Sequence, residues 1–375
     1  MTVTSVFLFG TLRDAALRRI VLGADVPLWP ARLAGWEVRR VAEGDWPVLV
    51  PAQAAVAEGG LARLTPDALA RADYYESLFG YTRVPVTVEG AAGPEPADIW
   101  RPSGGGSAVA EGLSEAWSLS AWADQAGPLA RAAAADAMAL LGERPAEETA
   151  RRWPTLRTRA QARLNASHPA PTTLRRRAED GDLQVAARRT PYAGFFAVEE
   201  YDLRHARFGG GLSETVRRAA FVSADAVTVL PYDPARDRAL LIEQFRAGPF
   251  ARGDGQPWSL EAVAGRIDPG ETPEESARRE AREEAGLEIG RLIRLASYYP
   301  SPGAKSEFIY SFLGLADLPD GVEGVFGVAQ ENEDIRTHLI PADRLQDLVA
   351  SGEINNAPLI LSVMALERQR AALRG

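Results

Sequence analysis

Glu280, Glu283 and Glu284 stand at i, i+3 and i+4 within residues 265–287, which read G-R-I-D-P-G-E-T-P-E-E-S-A-R-R-E-A-R-E-E-A-G-L. On a helix, that spacing gathers three carboxylates on one face. Like charges so placed repel one another unless something neutralises them. A divalent cation would do so, and hard oxygen donors favour Mg²⁺ or Mn²⁺. Taken alone, such a run is also what a solvated helix face looks like.

The surrounding residues mark the helix that must carry these groups. Thr272 suits the N-cap, Pro273 the first helical position, and Glu275 completes a capping box. Gly286 is placed to end the helix in a left-handed conformation. Ala277, Ala281 and Ala285 form a small-residue stripe that lets the helix lie close to its support.

Gly265, Glu271, Arg279, Glu280, Glu283, Glu284 and Gly286, with Ala281 and Leu287 at apolar positions, match the Nudix box in full. This stretch therefore resembles the Nudix hydrolases, which cleave a nucleoside diphosphate linked to another group. The resemblance implies that a cation binds the pyrophosphate and water attacks phosphorus.

Composition is compatible with that chemistry and excludes others. There are 375 residues, enough for two or three domains, and no cysteine, which removes disulfides, zinc-thiolate sites and thiol catalysis. The three histidines (His168, His205 and His338) lie far apart in the chain, so a metal site is expected to be built from carboxylates. A net charge of −9 disfavours general nucleic-acid binding, so an anionic substrate must meet locally placed arginines. No apolar run approaches membrane-spanning length, and residues 6–9 are too short for a signal-peptide core. The expectation is a cytoplasmic protein with neither membrane nor nucleic acid as partner.

The chain divides into three stretches. Residues 1–113 carry short strand-like runs, beginning with Val6-Phe7-Leu8-Phe9, and one helical run near 66–75, separated by Gly and Pro. This pattern suggests a small α+β domain with a barrel-like sheet. Phe9-Gly10-Thr11-Leu12-Arg13, Asp73-Tyr74-Tyr75-Glu76 and Tyr81-Thr82-Arg83 resemble the γ-glutamylcyclotransferase-like family. The resemblance implies that the Gly10-Thr11-Leu12 loop holds a γ-glutamyl group through backbone amides, and that Glu76 moves the proton. Residues 114–170 read as a helical connector, with Leu129, Ala133, Ala137 and Leu140 on one face. Its dense arginines are expected to form a solvated contact surface. The glycines at 104–106 precede no Lys-Ser/Thr pair and receive no phosphate role.

Residues 171–375 alternate strands, the box helix, more strands and closing helices at 345–351 and 357–373, as suits the Nudix α/β/α sandwich. Phe195-Phe196, Val216-Arg217-Arg218, Ile242-Glu243-Gln244-Phe245-Arg246, Ser301-Pro302-Gly303 and Glu331-Asn332-Glu333-Asp334-Ile335 are similar to the ADP-ribose pyrophosphatase branch. The joined two-domain arrangement also resembles tellurite-resistance-associated Nudix proteins.

These resemblances imply specific roles. The Ala264 carbonyl, Glu280 and Glu284 hold Mg²⁺ (or Mn²⁺), with Glu283 assisting. Glu331 is the general base, with Glu333 as its competitor. Phe195 stacks on adenine, Arg218 and Arg246 bind phosphate or terminal ribose, and Glu307 accepts from ribose hydroxyls. Pro302 and Gly303 lie in the turn that marks the branch. Enzymes of this kind pair through the Nudix domain, so a homodimer is expected. The substrate expected is ADP-ribose. Alternatives are another nucleotide sugar such as GDP-mannose, or a γ-glutamyl cyclotransferase whose Nudix half senses a nucleotide.

Overall fold

The computed structural model describes residues 3–41, 46–103, 113–328 and 332–375. The glycines at 104–106 lie outside the described residues. The chain separates into two compact units, Met1–Pro169 and Ala170–Gly375.

The first unit is built on a closed ring of five strands. β1 (Thr4–Leu8) lies antiparallel to β3 (Pro47–Leu64) and parallel to β5 (Gly93–Pro102). β5 pairs with β4 (Tyr81–Gly90), β4 with β2 (Trp29–Val41), and β2 returns to β3, which closes the ring. A short β6 (Leu113–Ala116) extends from β2. The run at residues 6–9 is apolar on both faces because both faces are covered. Phe7 and Phe9 point into the barrel with Leu33, Leu61 and Ile99, whereas Val6 and Leu8 face outward onto helices.

Two strands exceed what the pattern suggests. β3 runs unbroken through the Ala-rich stretch between Pro51 and Gly59. β5 includes Pro94 and Pro96, which sit at exposed positions near its start, where strands tolerate proline.

The helices beyond β6, namely Leu119–Gln125, Gly127–Met138, Ala146–Arg151 and Trp153–Ala166, are packed onto this barrel. Trp122, Ala134, Ala137, Met138 and Leu156 share one core with Val6, Leu64, Tyr75 and Trp100. Arg131 donates two hydrogen bonds to Asp14, at 2.9 and 2.8 Å, and the Tyr74 and Thr149 hydroxyls lie 2.8 Å apart. The stretch expected as a connector is thus an integral layer of the first unit.

In the second unit a mixed sheet runs β14 (Leu292–Tyr298), β15 (Ile309–Leu315), β10 (Ala226–Asp233), β11 (Arg238–Phe245), β17 (Ile335–Pro341) and β16 (Val325–Phe326). β12 (Trp258–Glu261) joins β11, and β13 (Val263–Arg266) joins β10. Alternation sorts the side chains of β10 and β11 into two cores. Val227, Val229, Leu240 and Ile242 pack under the Pro273–Ala285 helix. Leu230, Tyr232, Ala239 and Leu241 pack against the Leu345–Ser351 and Ala357–Arg374 helices on the other face. This is the α/β/α sandwich.

A separate antiparallel sheet holds β7 (Leu183–Ala193), β8 (Ala197–His205) and β9 (Val216–Val222). Phe195 and Phe196 fall in the β7–β8 turn, because β8 begins at Ala197. Among the described residues, no helix is long and apolar enough to cross a membrane.

Candidate functional sites

The Pro273–Ala285 helix is fixed at both ends. Thr272 accepts from the Glu275 N–H while Glu275 accepts from the Thr272 N–H, so the capping box is complete. Gly286, at φ 63°, takes the left-handed position, and a side chain there would meet Phe326. The alanine stripe is fully buried against β10 and β11. The helix therefore lies close to β13, and its carboxylates reach the β13 backbone.

Arg279 organises the cluster. Its guanidinium donates to Glu271 (2.9 and 3.0 Å), Glu280 (2.7 Å), Glu283 (2.9 Å) and the Arg266 carbonyl (3.0 Å). Among the described residues Glu284 has no cation in hydrogen-bond contact: its carboxylate accepts from the Ala264 N–H at 2.8 Å and is only 2% exposed. Burial pushes the Glu284 carboxyl up to about 8. Burial likewise pushes Glu280 up to about 7, against the pull of Arg279. Gly265 leaves the space Glu280 occupies, since a Cβ there would fall inside the Glu280 carboxyl group.

The donor set fits a hard divalent cation. Two buried carboxylates lie on one helix face, and one of them accepts from a backbone amide while Arg246 acts on it at longer range. Among the described residues, no group of three or more acidic or histidine side chains is preassembled as a metal site. Arg279 holds both Glu280 and Glu283.

Glu333 joins this group: its charge raises the proton affinity of both Glu280 and Glu284, and its carboxylate accepts from the Val328 N–H at 3.0 Å. Glu331 lies outside the described residues. Arg246 feels Glu284 and Glu333, but its closest partner is Glu261, bound through Nε and Nη2 at 2.9 and 2.6 Å. Glu261, which no motif singles out, sits on β12 beside β11, and Arg246 follows directly after the end of β11.

Phe195 is 63% exposed and lies under the Arg266 guanidinium, 3.7 Å from the ring centroid. Arg266 links it to the box, because its own carbonyl accepts from Arg279. The remaining residues are not drawn into the cluster. Arg218 is exposed and donates to the Arg217 carbonyl, and Glu307 accepts from Lys305 at 2.9 Å. Pro302 and Gly303 lie in an exposed turn tied to β9 through Ala304, whose carbonyl accepts from the Phe221 N–H at 2.7 Å.

The first unit holds a second candidate. A cavity of about 110 Å³ is lined by Gly10, Thr11, Leu12 and Glu76, the residues expected there. Glu76 is half-buried, and desolvation, reinforced by Asp73, pushes its carboxyl up to about 8. Trp122, Trp153 and Arg157 also line the cavity, and all three come from the helices.

A buried carboxylate pair on a box helix within an α/β/α sandwich defines the class of the second unit. The NUDIX domain model matches residues 222–361, and the model for gamma-glutamyl cyclotransferase, AIG2-like, matches residues 6–113. The ADP-ribose pyrophosphatase of Escherichia coli K12 is 40% identical over 193 residues, covering 52% of this chain and 91% of that protein. That of Haemophilus influenzae is 34% identical over 195 residues, covering 52% and 89%. A GDP-mannose pyrophosphatase of Salmonella paratyphi A is 30% identical over 151 residues, covering 40% and 78%. The chain belongs to the NUDIX family.

Proposed function

We propose that the second unit hydrolyses ADP-ribose to AMP and ribose 5-phosphate with Mg²⁺ or Mn²⁺. The observation that carries this is the Glu280/Glu284 pair: buried, on one helix face, and with both carboxyl groups pushed up by burial. The identity to ADP-ribose pyrophosphatases across nearly their whole length supports the choice of substrate. The weaker likeness to a GDP-mannose pyrophosphatase keeps that substrate as the alternative to test.

Glu280, Glu284 and the Ala264 carbonyl would hold the cation, and Glu283 would join once released by Arg279. The bound cation would neutralise the pyrophosphate and lower the pKa of the attacking water. Glu331 would take a proton from that water, and Glu333, steadied by the Val328 N–H, competes for the role. Phe195, backed by Arg266, offers an exposed ring face for adenine. Arg246 keeps Nη1 for a phosphate oxygen while Glu261 fixes the rest of its guanidinium. Arg218 and Glu307 remain candidates for the ribose end, with Pro302 and Gly303 shaping the turn beside Glu307. A cytoplasmic homodimer formed through this unit completes the proposal. A monomeric mass by light scattering at micromolar concentration would remove the dimer.

The test is to incubate the full chain and Mg²⁺ with ADP-ribose, ADP-glucose, GDP-mannose and NADH and to measure nucleoside monophosphate release. Preference for ADP-ribose, abolished in Glu284→Gln, is the expected result. Turnover of none of them by folded protein would overturn the reading. A second reading concerns the first unit: the cavity at Glu76 favours a retained ligand pocket there, with γ-glutamyl chemistry as its proposed use.

A further inference from the structure

The pocket of the first unit is only partly made by the residues that match the cyclotransferase model. Gly10, Thr11, Leu12, Tyr75, Glu76 and Phe79 come from residues 6–113, but another wall comes from the helices beyond. Trp153 packs edge-on against Phe79, with ring centroids 5.1 Å apart, and against Tyr75 at 6.4 Å. Trp122 is buried in the same core. The Asp14–Arg131 and Tyr74–Thr149 contacts lock these helices onto the barrel, so this wall is a fixed part of the cavity.

Arg157 is the charged side chain in that wall. Its helical neighbours are paired: Arg144 and Arg152 with Glu148, Arg151 with Glu147, and Arg163 with Asp136. Arg157 is half-buried, lines the cavity, and has no hydrogen-bond or ion-pair partner among the described residues. An arginine that lines an aromatic cavity without a counter-ion favours an anionic ligand.

We propose that the cavity binds a small monocarboxylate with an aromatic or branched apolar body, and that Arg157 holds the carboxylate. The apolar body lies against Trp122, Trp153 and Phe79. A polar group of the ligand, such as an amide, faces Glu76. A dianionic phosphate is disfavoured, because the cavity offers one guanidinium, apolar walls and a carboxyl group. Arg157 is thus a specificity-determining residue outside the matched domain. The proposal rests on the second reading only in taking the cavity as a ligand site, and it requires no turnover at Glu76.

The experiment titrates the full chain with N-acetyl-L-phenylalanine and with its neutral analogue N-acetyl-L-phenylalaninamide, read by isothermal calorimetry and tryptophan fluorescence. The carboxylate is expected to bind at least tenfold more tightly than the amide. Arg157→Gln should erase that difference while leaving amide binding unchanged, and Arg157→Lys should restore part of it. Equal affinity for the two probes, or a preference that survives in Arg157→Gln, would overturn the assignment of Arg157. Binding of neither probe at millimolar concentration would overturn the proposed ligand class. A γ-glutamyl amide that binds in that case would show that the γ-glutamyl reading survives without it. If Arg157→Gln melts early, the comparison of Arg157→Lys with the parent, scored by the ratio of the two affinities, decides the matter.

Discussion

Gly265 and Glu280 occupy one space: the absence of a side chain on the first is what admits the carboxyl group of the second. The atoms displaced by a Cβ belong to the end of a flexible side chain, so the backbone would not have to move. Gly265→Ala is therefore expected to fold, with a melting temperature within a few degrees of the parent. It should lose roughly 100-fold or more in pyrophosphatase activity, because a displacement of about 1 Å at a reacting centre can cost that much. Retained activity in a well-folded variant would show that the position of Glu280 does not matter.

Glu284 should behave differently. Its folded pKa, about 8, is raised above the ordinary 4.5, so the fold prefers the protonated form. Without a cation, this group makes the protein lose stability as pH rises from about 4.5 through 8. Glu284→Gln is expected to melt no lower than the parent at pH 8 without metal, and to lose hydrolysis. Added Mg²⁺ should raise the melting temperature of the parent more at pH 8 than at pH 6, and should not do so for the variant.

For proton abstraction, Glu331→Gln is expected to lower kcat by about 10²–10⁴-fold with KM little changed, the range for loss of a general base. Glu333→Gln is the comparison. If the large loss falls on Glu333 instead, the two residues exchange roles.

Asp237 ties the β10–β11 turn to the C-terminal helix through Arg370 and Arg374. The hydrogen bond from Arg370, stronger than the opposing burial, holds its carboxyl down to about 2, below the ordinary 3.8. A depressed acid pKa contributes stability that is complete above pH 4 and lost as pH falls through 2. Asp237→Asn should cost about 1–3 kcal/mol at pH 7. The gap between parent and variant melting temperatures should close on acidification, and a gap independent of pH would contradict this.

Arg131→Ala should loosen the helices from the barrel at a cost of about 1.5–3 kcal/mol, the range for a hydrogen bond to a charged group. Limited proteolysis should then cut within residues 119–166 sooner than in the parent. An unchanged digestion pattern would mean that the buried apolar contacts alone hold this layer.

The box was legible because its chemistry is local. The cap, the alanine stripe, the carboxylate face and the terminal glycine all lie within 23 residues, at spacings set by helix geometry. The helices after β6 were legible as helices but not as a layer of the first unit. Arg131 meets Asp14 across 117 positions, and Tyr74 meets Thr149 across 75, and no periodicity encodes such pairs. β5 was obscured by Pro94 and Pro96, residues that argue against a strand unless they are known to sit at its exposed start. Glu261 and Arg157 were missed for a related reason: their significance comes from what they face in three dimensions.

The closed ring has a consequence for synthesis. Val6 needs Asp98 as its neighbour, and Asp14 needs Arg131. A nascent chain that has emerged only as far as β4 holds its first strand, apolar on both faces, with one flank unpaired. The ring can shut only after Pro102 clears the ribosome, and the helical layer settles later still. Over that interval, residues 6–9 are apolar surface beside an unpaired edge, the kind of segment a chaperone shields.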